Sequence, residues 1–564
     1  MVSHGGLPGG RPPRNQHTSR GLGERAPEIG QSAPTSGRRV ARNVAGLLVA
    51  RGAIAVAGLV SLPVLYQHLT AADLGAWILL TGLTTIVGIA DLGLGSATVR
   101  AVAADLTGSR RQTRVVLALG LIWPAVLAAL ATLLLLLTWS PLAVLLNLGD
   151  AAVSGRTAAV LLLAGLLVDG IALPWRSVLE GTQRYPVLAT ANGSTALLGA
   201  GLIIAAAMAG GGLVELAACS LATSLLRTAL IIPLTRWLAP ALSPSLAGAT
   251  AEDVRAATRY GLRVQVTTAT GAVNLELDRY LLAGFFGTAV AGGFELGGRL
   301  VGLFRLVPAF ALMALFPMAV TQTERHGPEW LRTFNLQASR YLMMIAGTGA
   351  AVLVVCAEPL VQAWLGEPNA WAAANIAILA PAFAFNLAAG PTAIATRVEG
   401  RPGRETGYAL LSAGLNLALT WPLLRLLGPQ GVPLASAAGV IVGTCQFLAH
   451  YHRSTGQPLA PMAAVLARPL AAAASAGVVG LWVARYLPDA PGRLGGLVAV
   501  AARGSVVLLV AVVLLVAVGS ITADDRRGLA QFLHRSGSQL PDPRYAPGLP
   551  HIAAPAAPAP GGET

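Results

Sequence analysis

The sequence has little charge. Only 11% of its 564 residues are charged, whereas about a quarter are charged in a typical soluble domain. Hydrophobic residues make up 54% of the chain, and they collect in many runs of about 20 residues, the length that crosses a bilayer as a helix. The composition therefore excludes a soluble globular domain and predicts an all-α, polytopic membrane protein.

Residues and motifs that carry out chemistry are also scarce. The three cysteines, Cys219, Cys356 and Cys445, lie in separate apolar runs, which argues against a disulfide framework or a metal site. Lysine is absent, so the chain has no phosphate-binding loop of the G-x-x-x-x-G-K-[ST] type. No Ser-His-Asp pattern or metal-ligand spacing appears either. We expect a protein that is not an enzyme and that binds no metal and no organic cofactor.

The arginines are distributed unevenly between the two sides of the membrane. The net charge of +14 would suggest nucleic acid in a soluble protein, but most of it lies beside predicted helices, so we expect no nucleic-acid partner. The loops opposite the N-terminus carry only Arg156 and Arg493, with Arg279, Arg425 and Arg485 near the ends of the helices that they join. Positive charge stays in the cytoplasm, so both termini are predicted to be cytoplasmic. The loops on the side of the N-terminus carry Arg100, Arg110, Arg111, Arg114, Arg176, Arg184, Arg236, Arg255, Arg259, Arg263, Arg325, Arg332, Arg340, Arg397, Arg401, Arg404, Arg453 and Arg468.

The apolar runs and the arginine pattern together predict about fourteen transmembrane helices. The second half of the chain opens as the first does, since Thr70 to Gly75 aligns with Thr288 to Gly293, as expected of parallel repeats in a transporter. We therefore predict two lobes of six helices, 44–235 and 236–455, and an extra helix pair at 456–522. The ends of the chain, 1–43 and 523–564, are rich in Gly, Pro, Ser, Ala or Arg and are predicted to be disordered cytoplasmic tails. The predicted helices are 44–66, 74–97, 114–138, 157–175, 186–210, 213–233, 262–284, 290–318, 341–364, 372–394, 406–427, 432–450, 469–487 and 496–519.

Several short segments resemble one family. A helix-to-helix turn reads Leu69-Thr70, then Gly75 and Trp77, and the next helix ends in Asp91-Leu-Gly-x-Gly, followed by Arg100. This pattern resembles the polysaccharide and O-antigen flippases, a branch of the multidrug/oligosaccharidyl-lipid/polysaccharide exporter superfamily. The resemblance implies two lobes like those of the MATE transporters. It continues in 175–185, 284–299, 358–366 and 427–436.

Charged residues inside the predicted helices are candidates for function, because a charge in the bilayer costs about 2.5–3.5 kcal/mol or more. Asp169 lies deep in its helix and is too short to reach the headgroups. Glu276 with Arg279, and Glu295 with Arg299, have the spacing of ion pairs on one helix face, and simple ion-paired packing is the alternative to substrate contact. The pair Gly293 and Gly297 predicts a close helix contact.

The resemblance implies a substrate and assigns roles to these charges. The implied substrate is an oligosaccharide on an isoprenoid pyrophosphate, and guanidinium groups match the geometry of phosphate oxygens. The acids would couple transport to H⁺ or Na⁺, and no other cofactor is implied. The implied partners are membrane lipids and the polymerase and glycosyltransferases of the same pathway. The substrate-binding candidates are Arg51, Arg263, Arg299 and Arg305, and the ion-coupling candidates are Asp91, Asp169, Asp278 and Glu295.

The sequence thus predicts a flippase that moves a lipid-linked oligosaccharide across the cytoplasmic membrane by alternating access. Two other transporters remain as alternatives: a MATE-type antiporter of drugs or cations, and a lipid II flippase. Aromatic residues make up only 5% of the chain, and several of the intramembrane charges are arginines, which disfavours a cationic drug. The glycan, the coupling ion and the oligomeric state are not predicted.

Overall fold

The computed structural model describes residues 37–89, 93–106, 110–401, 403–487, 490–522, 525 and 527. Within the helices it leaves undescribed the side chains of 37–51, 89, 260, 262–275 and 314. The described residues form α-helices, short 3₁₀ turns and loops, with no strand among them. The predicted all-α fold is therefore confirmed. The helices are α1 (Gly37–His68), α2 (Ala71–Ile89), α3 (Leu94–Ala104), α4 (Arg111–Leu145), α5 (Ala152–Gly181), α6 (Tyr185–Met208), α7 (Leu213–Leu238), α8 (Ala251–Phe286), α9 (Thr288–His326), α10 (Pro328–Val355), α11 (Ala357–Leu365), α12 (Ala370–Ala388), α13 (Gly390–Val398), α14 (Gly403–Leu427), α15 (Gly431–Ser454), α16 (Ala460–Ala484) and α17 (Gly492–Ala517).

Every predicted helix overlaps an observed one, and three of them each overlap two. The break between α12 and α13 comes immediately before Gly390-Pro391, because proline has no amide hydrogen to continue the helix. The break between α10 and α11 is at Cys356, with Pro359 in the first turn of α11. Between α2 and α3, residues 90–92 lie outside the described residues, and α3 follows Gly93, whose φ of 65° is left-handed and suits glycine.

Eleven stretches of the described residues are long and apolar enough to cross a membrane, and one of them, Gly403–Ser454, contains both α14 and α15. The multi-span membrane fold is confirmed, whereas the count of fourteen stays a prediction. We name the helices that correspond to the two predicted lobes the first lobe, α1–α7, and the second lobe, α8–α15; the division into lobes stays a prediction. In the first lobe α5 packs between α4 and α7, in the second α14 pairs with α15 and α10 with α12, and the extra helices α16 and α17 pack against α10 and α11.

The two lobes meet along α2, α8 and α9. At this seam the backbones touch, because a Cβ atom built on Gly75 of α2 would overlap the carbonyl of Thr288 in α9. Side chains also reach backbone carbonyls of the other lobe: Trp364 Nε1 donates to Leu59 O at 2.7 Å, and Tyr280 Oη donates to Leu79 O at 2.8 Å. These contacts lie toward the side opposite the arginine-rich loops. On the side of those loops a Cβ atom on Gly93 would lie 2.2 Å from the carbonyl oxygen of Gly261, and Arg111 pairs with Asp253 of α8 at 3.0 Å, so the lobes touch there as well.

Candidate functional site

A cavity of about 650 Å³ lies between the two lobes. Helices α1 and α2 line it from the first lobe, and α8, α9, α12 and α15 line it from the second. Its volume is in the usual range of small-molecule sites, roughly 300–1,000 Å³. Three acidic residues and three arginines line it among the described residues, and they therefore define the candidate site: Glu276, Asp278, Arg279, Glu295, Arg299 and Arg305.

Four of these residues form a continuous chain of ion pairs. Arg279 contacts Glu276 at 3.1 Å on its own helix and Glu295 of α9 at 2.8 Å. The other carboxylate oxygen of Glu295 contacts Nε of Arg299 at 2.5 Å. The predicted pairs, Glu276 with Arg279 and Glu295 with Arg299, are therefore confirmed, and the link from Arg279 to Glu295 joins them across α8 and α9.

The helix contact predicted from Gly293 and Gly297 is also confirmed, and it fixes the part of α9 that carries Glu295. A Cβ atom on Gly297 would lie 2.6 Å from the carbonyl oxygen of Ala372 in α12. One on Gly293 would overlap the ring of Trp371, whose Nε1 donates to the carbonyl of Val290 at 2.8 Å. Small residues thus let α9 and α12 approach closely.

The arginines differ in how far they are neutralised. The side chain of Arg299 is 57% exposed although Nε is paired, whereas that of Arg279 is 12% exposed and contacts two carboxylates. Arg305 has no acidic partner within ion-pair distance among the described residues, and its guanidinium lies 4.0 Å from the ring centre of Phe383. Such a cation–π contact holds a guanidinium in place without neutralising it. Arg305 is thus a positioned positive charge at the cavity wall.

Asp278 is held in a different way from the other acids. It is 4% exposed and accepts hydrogen bonds from Asn416 Nδ2 at 3.1 Å and from the hydroxyl of Ser436. Thr420 lies beside them, with its hydroxyl 3.3 Å from Asn416 Oδ1. No arginine comes within ion-pair distance of Asp278 in the part of the chain that the structure describes. Neutral donors from α14 and α15 therefore surround a carboxyl group that borders the cavity.

Asp169, the remaining acidic candidate that the structure describes, lies elsewhere. It is in the first lobe between α5 and α7, where it forms a bidentate pair with Arg227, with donor–acceptor distances of 2.9 and 2.5 Å. The hydroxyl of Ser224 donates to the same carboxylate at 3.0 Å. Asp169 is not among the residues that line the cavity. Its predicted coupling role is separate from the site between the lobes and stays a prediction.

The structure therefore brings together four of the eight candidates, Arg299, Arg305, Asp278 and Glu295. Asp91 lies outside the described residues. The side chains of Arg51 and Arg263 also lie outside them, although the backbones at these positions belong to α1 and α8.

The candidate set omitted several residues that border the cavity or support it. Glu276 and Arg279 were predicted to pair and were not assigned to the site. Asn416 and Ser436 were missed, although a lone amide in the apolar run of α14 and a serine in the 427–436 segment were signals that could have been followed. Phe383 carried no signal, because one phenylalanine in an apolar helix is ordinary.

A family model decides which family these residues belong to. The model described as polysaccharide biosynthesis protein matches residues 40–321, half of the chain. The chain belongs to the polysaccharide biosynthesis protein family. This confirms the resemblance found in the sequence, and the matched segment includes α8 and most of α9, which supply the ion-pair chain. No curated protein matches the chain by sequence.

Solved structures of transporters share the fold of this family member. The lipid II flippase MurJ in an inward closed conformation matches with a TM-score of 0.65 and 12% identity, over 86% of this chain and 99% of that one. A mutant of the Vibrio cholerae MATE transporter VcmN matches with a TM-score of 0.55 and 16% identity, over 75% and 98%. An inward-facing multidrug resistance MATE family transporter of the MOP superfamily matches with 0.54 and 16%, over 77% and 97%. These likenesses confirm the MATE-like, polytopic helical fold.

Proposed function

We propose that the protein is a flippase of the cell membrane that moves an isoprenoid pyrophosphate-linked oligosaccharide from the cytoplasmic to the outer leaflet. The family supports a role in polysaccharide biosynthesis, and the fold supports a membrane transporter. The two lobes would alternate around the cavity between them, as in transporters built from repeats. The product would feed cell-surface polysaccharide biosynthesis.

The observation that carries this proposal is the arginine-bearing cavity at the lobe interface. Arg305 faces it without an acidic partner among the described residues, and Arg299 is more than half exposed. A pyrophosphate is anionic, and charge-assisted bonds from arginine are among the strongest available for it. The headgroup and its first sugars would occupy the cavity, while the isoprenoid tail would stay in the bilayer.

Asp278 and Glu295 are the proposed coupling residues of the cavity. A carboxylate that is held by neutral donors has no fixed positive partner, so it can take up H⁺ or, with the hydroxyl and amide oxygens nearby, Na⁺. Asp278 has this environment. Glu295 can gain a proton only by giving up bonds to two arginines. We assign the coupling ion first to Asp278 for this reason.

The arginine asymmetry supports cytoplasmic tails at both ends of the chain. In that orientation the substrate would enter on the side of the arginine-rich loops, where glycosyltransferases build it, and leave on the side where a polymerase uses it. These enzymes and the surrounding lipids are the proposed partners. We propose no nucleic-acid partner.

The test is leaflet transfer in liposomes that contain the purified protein and a fluorescent isoprenoid pyrophosphate oligosaccharide. We expect transfer by the wild type and a large loss in Arg305→Ala and Arg299→Ala. Arg332→Ala is the matched control, because Arg332 pairs with Glu329 and both side chains are at least 40% exposed and outside the cavity.

Parallel liposomes test the two alternatives. Transport of a cationic dye with no transfer of the lipid-linked oligosaccharide would indicate the drug antiporter. Transfer restricted to lipid II would indicate the lipid II flippase. Equal activity of the wild type and both arginine variants would contradict the assignment of the cavity as the headgroup site.

A further inference from the structure

Glu295 occupies the position that an anionic ligand of the cavity arginines would take. Its two oxygens contact two different guanidinium groups, Arg279 at 2.8 Å and Arg299 at 2.5 Å. The residue is 6% exposed, so this carboxylate faces protein and the cavity more than bulk solvent. The oxygens of a phosphate group accept hydrogen bonds from the same guanidinium N–H donors. Glu295 and a phosphate group therefore cannot both have all of these bonds.

The arrangement differs from ordinary ion-paired packing in one respect. Arg279 already has a second carboxylate, Glu276, at 3.1 Å, so it would stay neutralised if Glu295 moved away. Arg299 has Glu295 as its acidic partner among the described residues, and its side chain is 57% exposed. The bond between Glu295 and Arg299 is thus the one that a ligand in the cavity can reach and replace.

Arg299 gains from a counter-anion in the substrate-free protein for an electrostatic reason. Arginine side chains in a low-dielectric site are costly unless they are paired. Among the described residues that line the cavity, α1, α2 and α12 contribute no charge, so compensation must come from Glu276 and Asp278 of α8 and Glu295 of α9. Asp278 is held by Asn416 and Ser436, which leaves Glu295 for Arg299.

We propose that Glu295 is a built-in counter-anion, which neutralises Arg299 in the substrate-free protein and is displaced when a phosphate group enters the cavity. This inference rests on the proposed function and adds a positioning residue to it. The carboxylate lowers the affinity for an anionic headgroup, because only the fraction of molecules in which Arg299 is released can bind it. In return it keeps Arg299 paired while the empty carrier changes conformation, and Arg305 stays available to an anionic headgroup.

The experiment measures binding and transfer with the full-length protein. The binding probe is farnesyl pyrophosphate in detergent, with farnesol as the probe without phosphate. Glu295→Gln retains the shape of the side chain and removes its charge. We expect it to bind farnesyl pyrophosphate about tenfold more tightly, equivalent to about 1.4 kcal/mol, with farnesol binding unchanged. In liposomes at saturating lipid-linked oligosaccharide, the same variant should transfer more slowly than the wild type.

Two further variants control for structure. Glu276→Gln removes a carboxylate that contacts Arg279 and not Arg299, so its gain in affinity should be smaller. Glu295→Asp keeps the charge but is one methylene shorter and cannot span both guanidinium groups, so it should bind the probe with intermediate affinity. If Glu295→Gln does not fold in detergent, the affinity of Glu295→Asp for farnesyl pyrophosphate tests the counter-anion instead.

The outcomes separate this inference from the proposed function. If the wild type binds the probe and Arg299→Ala weakens binding, but Glu295→Gln and Glu295→Asp bind no more tightly than the wild type, the counter-anion is overturned and the headgroup site stands. A purely structural role for Glu295 predicts that both Glu295 variants bind the probe no more tightly than the wild type, because a disturbed site binds less. If the wild type does not bind farnesyl pyrophosphate at all, the headgroup site and the counter-anion both fail.

Discussion

Gly75 offers a direct test of the seam between the lobes. In the structure α2 and α9 approach so closely at this residue that a Cβ atom would overlap the carbonyl group of Thr288 and lie 2.9 Å from its Cβ. Carbon atoms pack comfortably at about 3.5–4.0 Å. Gly75→Ala therefore requires the two helices to separate, because a backbone carbonyl within a helix cannot rotate aside.

The free-energy cost of this overlap can be converted to a change in the ratio of two conformational states. Overpacking of this kind costs about 1–3 kcal/mol. Alternating access requires two states of comparable free energy, and a cost of this size would shift their ratio by about 5- to 150-fold. We expect Gly75→Ala to depopulate the state in which α2 and α9 touch, and to slow transfer because the cycle must pass through that state. Gly201→Ala in α6 is the matched control, since a Cβ there meets nothing within 4 Å.

Spin labels on a cysteine-free background, at the exposed residues Ala72 and Leu426 of the two lobes, would report the distance between the lobes. The wild type and Gly201→Ala should show a population at the distance of the closed seam, which Gly75→Ala should move to longer distances. Unchanged distances together with unchanged transfer in Gly75→Ala would refute the seam as a contact that must open and close.

Three further predictions concern single side chains. Asp278→Asn should leave a folded protein whose transfer no longer responds to a H⁺ or Na⁺ gradient; a retained response in gradient-driven transfer would remove Asp278 from coupling. Asp169→Asn should lower the free energy of unfolding in detergent by about 2 kcal/mol, because it leaves Arg227 without its bidentate partner. A double variant that also carries Arg227→Gln should recover part of this loss. Additive losses from the two substitutions would show that the pair is not coupled. Asp525, which accepts two bonds from Arg340 at 3.0–3.1 Å, has a lowered pKa, since burial raises it but hydrogen bonds to the carboxylate and the nearby arginine outweigh that effect. Its contribution to stability should therefore be complete at neutral pH and be lost as the pH falls through the lowered pKa, and Asp525→Asn should abolish this acid-dependent loss in thermal unfolding measured against pH.

The sequence was a good guide wherever the determinants are local. Apolar runs locate the helices, and spacings of three and four residues predicted the pairs Glu276–Arg279 and Glu295–Arg299, which the structure confirms. The start of α8 was missed because hydropathy marks only the apolar part of a helix. Its true start is signalled by Thr250 and Asp253, which cap each other in the first turn.

Contacts between helices could not be predicted in the same way. The link from Arg279 to Glu295 depends on how α8 packs against α9, and the hydrogen bonds to Asp278 come from helices more than a hundred residues away. Asp169 was recognised as a deep acid, but nothing in the spacing paired it with Arg227, 58 residues later. The sequence shows which residues are polar, whereas tertiary packing determines which partner each of them has.

Selection of an anionic headgroup by the cavity arginines is the feature on which the proposed function depends most. Its most direct test compares two fluorescent glycolipids in the same liposomes, with the same isoprenoid tail and the same sugars, one joined by pyrophosphate and the other by an uncharged linker. We predict rapid leaflet transfer of the pyrophosphate compound, little transfer of the uncharged one, and loss of this preference in Arg305→Ala. Equal transfer of both compounds by the wild type would contradict selection of the headgroup by its charge.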